Sequence, residues 1–565
     1  MAFTLVTCVL AMGLVALVSY LRTRGETETR DGYFLAGRGL TAPVIAGSLL
    51  LTNLSAEQLI GLNGSAYGFD LSSMGWEVTA AVSTVVMALV FLPRYLALGF
   101  TTLPAFLAAR FDDGVRRMTV VLFMLGYGLV TIPSVLYSGS LAVMRLFDVP
   151  GLTGLGDFPS LCLTVVVIGT VGGAYAVLGG LKAVAVSDTL NGIGLLVLGS
   201  LVPILGLAAL GEGSVSSGLR TVLTEAPEKL NAIGGPASPT PFGTLFTGMI
   251  VANLFYWGTN QYVIQRTLGA ASLAEGQKGV LLSGFFKLLV PILMMLPGVI
   301  AFHLYGPGLG GIDQAYPRLV ADVLPTALTG VFLAVLLGAV FSSFNSLLNS
   351  AATLFALDVW EPLSRRTLTD REVVRIAKIG SLVIALAGFV VAPLLSFADE
   401  GLWQVVRVFT GFYNVPVIAV VLMGLFAPRV PALGAKLAIG FHVIAYGLCR
   451  FVLADVVTLH FVHLYAVLFV AEIAIMLAVA VWRPASRRAL PRRAPVDLTP
   501  WRHARATAAT LLGGVVLLYL VCSPLGLAAP DGVTAPFWLG GCATLLLVAL
   551  AWGASTRRSA PARTV

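Results

Sequence analysis

The chain of 565 residues is 58% hydrophobic and 11% charged, with a mean hydropathy of +0.92. Soluble globular proteins carry about a quarter charged residues, so that class is excluded. The net charge of +8 does not mark a nucleic-acid binder, because the basic residues sit in particular loops between apolar runs.

About fifteen apolar runs are long enough to cross a bilayer, which takes roughly 20 residues. In chain order they cover residues 3–21, 41–69, 77–99, 118–144, 159–179, 184–209, 243–264, 280–303, 327–358, 375–397, 402–427, 433–452, 460–481, 506–526 and 535–554. The first lacks a basic leader and a small-residue cleavage site, so it reads as a retained helix. The basic loops hold Arg22, Arg24 and Arg30, then Arg116 and Arg117, then Arg365, Arg366, Arg371 and Arg375, then the cluster from Arg483 to Arg493, and last Arg557 and Arg558. All fall on one side if the N-terminus is outside, and the positive-inside rule then places the C-terminus inside a plasma (inner) membrane that the chain crosses many times. The runs divide the chain into an extra helix and inner loop (1–40), a first repeat (41–209), an outer loop (210–242), a second repeat (243–427), peripheral helices (428–481), a basic inner loop (482–504) and a C-terminal pair with its tail (505–565).

Two runs are interrupted by polar residues, the second at "TNLSAEQLIGLNGSAYG" and the seventh at "VANLFYWGTNQYVIQRT". They stand five runs apart, as do the discontinuous helices that open the two inverted halves of many secondary transporters. Unwound backbone at mid-membrane survives only where it lines a cavity. Charges there are costly and call for a function or a partner; the main cases are Glu57, Glu77, Asp188, Lys287 and Arg407, with Glu472 further away. Glu77 and Lys287 follow the two broken runs, and suit either hydrogen bonds to substrate hydroxyls or an ion pair between helices. Ser342 and Ser343 in "AVFSSFNSLLNS" offer hydroxyls to a small hard cation, or to their own helix backbone. Asn253, Tyr256 and Trp257 combine an amide with flat aromatic faces, as sugar sites do and as membrane interfaces also do. The five cysteines and five histidines are scattered, and nothing pairs a nucleophile with a base, so the chain is not expected to be an enzyme.

The stretches "DGYFLAGRGL", "NLSAEQLIGLNGSAYG", "GGLKAVAVSDTLN", "VANLFYWGTNQYVIQRTL", "EGQKGVLLSGFFKLLVPI", "DQAYPRL" and "FSSFNSLLNSAATLFALDVW" resemble the sodium/solute symporter family, above all its bacterial sodium/galactose and animal sodium/glucose cotransporters. The likeness runs from about residue 30 to about residue 430. It implies an all-α polytopic membrane protein with a leucine-transporter-type core of two inverted five-helix repeats, which runs two to eleven fit. It implies a Na+ site made by the carbonyls of Leu51, Leu54 and Ala339 and the hydroxyls of Ser342 and Ser343. Relatives with a second sodium use the positions of Asp188 and Ser346; Asn345 stands where they often carry a hydroxyl, and Asp188 otherwise assists sodium exit. The family's sugar ligands match Asn53, Gln58, Glu77, Asn253 and Lys287, with Tyr256 closing the inner side and Leu62, Trp76 and Trp403 forming the outer gate.

Two positions depart from the sugar transporters. Ala80 replaces a serine and Arg407 a glutamine. The planar guanidinium of Arg407 suits the carboxylate of a uronate or sialic acid, or pairs with Glu57 or Glu77 and leaves the site neutral. The expected activity is sodium-coupled import of a galactose- or glucose-like monosaccharide or a polyol. The alternative is a sugar acid or other organic anion held by Arg407. A membrane substrate sensor is a third reading, and the polar tail "STRRSAPARTV" offers it no signalling domain.

Overall fold

The computed structural model describes residues 2–23, 29–146, 149–236, 238–309, 311–364, 368–397, 402–486, 490, 492–530 and 532–557. Helix α1 (Ala2–Thr23) precedes a span broken into α2 (Ala42–Asn53) and α3 (Ala56–Gly68). Then come α4 (Leu71–Leu98), α5 (Asp113–Leu141), α6 (Asp157–Ala174) and α7 (Gly180–Leu210). A second broken pair follows, α8 (Gly248–Gly258) and α9 (Gln261–Leu268). The chain continues through α10 (Leu273–Tyr305), α11 (Ala327–Ser364), α12 (Asp370–Phe397) and α13 (Leu402–Phe426). It ends in α14 (Ala432–Val452), α15 (Phe461–Trp482), α16 (Ala504–Val521) and α17 (Ala535–Arg557). Extended pairing among the described residues is confined to two isolated bridges, Leu40 to Ala270 and Ser272 to Asp497.

Each of the fifteen apolar runs is helical, but among the described residues twelve helices are long and apolar enough to span a membrane alone, or thirteen with the bent pair α2–α3. The shortfall has two physical sources. The apolar stretch of α1 covers only Val6–Arg22, and run 243–264 is cut into two short pieces. The gap expected at 180–183 is a single joint, Gly180, with φ 58° and ψ −168°. That backbone region is essentially reserved for glycine, and a Cβ there would lie 3.0 Å from the Tyr33 carbonyl.

The first break has a local cause. Leu54 leaves the helix at φ −79°, ψ 85°, and Ser55 is extended and caps α3, its Oγ accepting from the Gln58 N–H at 3.3 Å. The Ser55 N–H turns to the Asn53 carbonyl at 3.0 Å, so the Leu51 carbonyl loses the partner it would have in a continuous helix. The two pieces meet at 58°. α10 approaches α3 closely enough that a Cβ on Gly298 would sit 2.0 Å from the Asn63 carbonyl oxygen, the small-residue packing that membrane helices use.

The two C-terminal helices differ from each other. α16 is packed in: Leu511 reaches Gly284 and Gly514 admits Leu288, both on α10, while Tyr519 stands beside Gly75 on α4. α17 leaves Trp538, Leu539 and Leu547 exposed, as suits a helix facing lipid. A peripheral place therefore fits α17 but not α16.

Candidate functional site

At the first break, side chains from four helices meet. Gln58 Nε2 on α3 donates to Glu77 Oε1 on α4 at 3.1 Å, and Lys287 on α10 forms an ion pair with Glu77 Oε2. Glu77 is 5% exposed and Lys287 fully buried, so each offsets a charge that would be costly alone. Asn253 on α8 donates to Thr79 Oγ1 at 3.1 Å and to the Trp76 carbonyl at 3.4 Å, fastening α8 to the helix that carries Glu77. The Lys287 ammonium lies 5.6 Å from the Trp257 ring centre, and the neighbouring Tyr256 ring meets Trp257 and Tyr262 edge-on. Asn53 Oδ1 and Gln58 Oε1 are buried with no hydrogen-bond partner. Buried polar atoms are nearly always bonded, so two unpaired acceptors beside one ion pair mark a place for a ligand's donors.

A cavity of about 1270 Å³ lies on the side of this cluster that the loop charges assign to the outside. Leu62 and Trp76 are in its wall, together with Phe69, Tyr137, Arg450 and Phe461.

On the other side of the break stands α11. Ser343 Oγ donates to the Thr52 carbonyl at 3.4 Å, and Ser342 Oγ is buried beside the Asp188 carboxylate with no hydrogen bond inside 3.5 Å. Leu51, Leu54 and Ala339 are buried around them. This is an oxygen-only donor set with a free hydroxyl and a carbonyl released by the break, which fits a small hard cation such as Na+.

One charged residue escaped the sequence reading. Arg266 on α9 is fully buried and pairs with Asp188 on α7 at 3.4 Å. Its Nε donates to Ser48 Oγ on α2 at 2.7 Å, and its other nitrogens reach Ser346 Oγ on α11 and the Tyr262 carbonyl. Ser48 also donates to Asp188 Oδ2 at 2.7 Å, which leaves Asp188 Oδ1 unpaired. Asp188 thus already has a protein counter-ion. The signal was a charge inside the stretch quoted for the seventh run, two residues past its assigned end at 264, and it was not counted among the intramembrane charges. Glu472 likewise has a partner, His442 on α14 at 2.5 Å, both fully buried. The side chains of Glu57, Trp403 and Arg407 lie outside the described residues. Both oxygens of Glu77 are engaged by Gln58 and Lys287.

A family model described as "Sodium:solute symporter family" matches residues 33–440. The chain belongs to that family. Its members carry a solute with sodium, so sodium is the coupling ion here. Among this symporter's relatives is an uncharacterised symporter of Escherichia coli K12, YidK, 43% identical over 515 residues that cover 91% of this chain and 90% of the relative. A sodium/glucose cotransporter of Vibrio parahaemolyticus is 30% identical over 438 residues, 74% of this chain and 78% of its own. Sodium/glucose cotransporter 1 of Ovis aries is 27% identical over 532 residues, 84% and 77% of the two chains. A solved structure of a Na+-coupled sialic acid symporter, substrate-bound and outward-open, superposes with a TM-score of 0.74 at 20% identity, covering 86% of this symporter and 99% of that chain. The fold is therefore the leucine-transporter type.

Proposed function

We propose that this symporter imports a monosaccharide of the galactose or glucose type with sodium, by alternating access. The observation that carries the reading is the pair of unpaired acceptors, Asn53 Oδ1 and Gln58 Oε1, beside the Glu77–Lys287 pair, on the same broken helix whose carbonyls turn toward α11. Sugar hydroxyls donate to the amide oxygens and to Glu77, and accept from Lys287, while Asn253 holds α8 against α4 at the edge of the site. Sodium bound by Leu51, Leu54, Ala339, Ser342 and Ser343 holds α2 against α11 and so shapes the sugar site. Leu62 and Trp76 close over the sugar from outside; Tyr256 yields on the inner side. Coupling follows because both ligands use one helix and prefer the same state. A relative of 30% identity that is named a sodium/glucose cotransporter supports the sugar class.

One sodium crossing ~100 mV down a ~tenfold gradient releases about 3.7 kcal/mol, enough for several-hundred-fold accumulation at 1:1 stoichiometry. The test is uptake of labelled galactose into proteoliposomes under an inward sodium gradient with the inside negative. Saturable, gradient-dependent uptake supports the reading, and its absence for every monosaccharide tried overturns it. The second reading, a monosaccharide that also bears a carboxylate, is favoured by Arg450 in the wall of the outer cavity, whose Nε is buried without a hydrogen bond and which has no carboxylate partner among the described residues.

A further inference from the structure

The outer cavity is lined mainly by aromatic and apolar side chains with neutral hydroxyls and an amide among them, and none of its described lining residues is Asp or Glu. Two arginines reach it. Arg318 is already neutralised: its Nε donates to Asp322 at 2.9 Å, and Tyr305 donates to the same carboxylate oxygen at 2.8 Å. Arg450 has no carboxylate partner among the described residues, and its Nε is buried without a hydrogen bond. A guanidinium has five N–H donors and keeps its charge at any physiological pH, so burying part of one unpaired is a standing cost. Arg450 also sits in a π-helical turn, Leu448–Val452, at the end of α14. Such turns occur frequently at functional sites, and this is one of four among the described residues.

An arginine at a membrane boundary ordinarily extends its head toward the lipid headgroups. Here the next two residues, Phe451 and Val452, take the exposed apolar side at 58% and 70% exposure, while Arg450 lines the cavity. The charge therefore faces the path by which a solute arrives, between walls of low dielectric that strengthen its field.

We propose that Arg450 is an anion-binding subsite in the outer vestibule, taking the carboxylate of an acidic monosaccharide before its hydroxyls reach the cluster at the first break. This rests on reading the cavity as the inlet of a monosaccharide symporter, and it extends the galactose- and glucose-type substrates to their acids, the uronates. The subsite acts on capture. Its loss raises KM and leaves the maximal rate in place.

The experiment is sodium-driven uptake of labelled galacturonate and of labelled galactose by purified wild-type protein, Arg450→Gln, Arg450→Lys and the control Arg318→Gln. We expect wild type to take up galacturonate. We expect Arg450→Gln to raise its KM about tenfold or more, the loss of a charge-assisted pair, with the maximal rate kept, Arg450→Lys falling between, and Arg318→Gln near wild type. Added choline chloride should raise the galacturonate KM of wild type and leave that of Arg450→Gln flat. Repeating the assay in phosphatidylcholine and in phosphatidylglycerol vesicles separates a lipid phosphate from a solute carboxylate. Stability that depends on phosphatidylglycerol through Arg450, with an unchanged galacturonate KM, overturns the proposal in favour of a lipid contact. Galactose uptake with no transport of or competition by galacturonate overturns the subsite and leaves the sugar symporter standing. No sodium-driven uptake of either sugar overturns both.

Discussion

The two broken spans look alike in sequence and are opposites in structure. At the α8–α9 break the backbone and the amide side chains are bonded, and the unpaired group beside them is Trp257 Nε1. The N–H groups of Thr259 and Asn260 both donate to the Phe255 carbonyl at 2.9 Å, the Gly258 carbonyl accepts from Tyr95 at 2.8 Å, and Asn260 accepts from Tyr127. Gln261 ties the break to Thr101 and Leu103, and Gln265 to Phe34, Ser350 and Thr353. At the α2–α3 break Asn53, Gln58 and the facing Ser342 each keep an unpaired oxygen. Interruption of a membrane helix is therefore not itself a binding signal. The unsatisfied break is where a ligand completes the hydrogen bonding; the satisfied one is a joint that holds neighbouring helices in place.

This contrast predicts that substitutions on the satisfied side lower stability and those on the unsatisfied side lower affinity. The largest effect is expected for Arg266→Ala, which leaves Asp188 buried and unpaired and should cost about 3–5 kcal/mol of stability, read as a large drop in apparent melting temperature in detergent. A wild-type melt would break the comparison. Gln265→Ala comes next at about 1–3 kcal/mol, through three stranded partners. In whatever protein remains folded, its substrate KM should match wild type. On the other side, Ser342→Ala should raise the sodium concentration for half-maximal uptake by about tenfold while the melting temperature holds. Asn53→Ala should raise substrate KM by about fivefold with little loss of folded protein, since its Oδ1 has no protein partner and only its contact with Tyr256 is given up. A melt as poor as that of Gln265→Ala would show that Asn53 serves the fold.

Much of this was legible beforehand, because hydropathy alone locates spans and polar interruptions locate breaks. Gln58, Glu77 and Lys287 were named one by one and are bonded to each other, and Asn253 is tied through Thr79 to the helix that carries Glu77. What could not be read was pairing across long sequence distances. Arg266 lay beyond an assigned boundary, so its contact with Asp188 was invisible, and Thr79 gave no hint that it would hold Asn253. The packing of α16 depends on glycines meeting leucines, which carry no periodic or polar mark. Arg450 was passed over because a charge at the end of a run reads as an interface anchor until its neighbours are known.

The single-residue joint at Gly180 also bears on how the chain is made. Helical backbone continues through 175–179 up to Gly180, so no loop separates α6 from α7. In the finished fold the two spans turn at one glycine-only torsion beside Tyr33, a residue synthesised long before. Assembly of this membrane protein thus has a fixed appointment at residue 180: an epitope inserted there should stall integration, whereas the same epitope in the 210–242 loop should pass unnoticed.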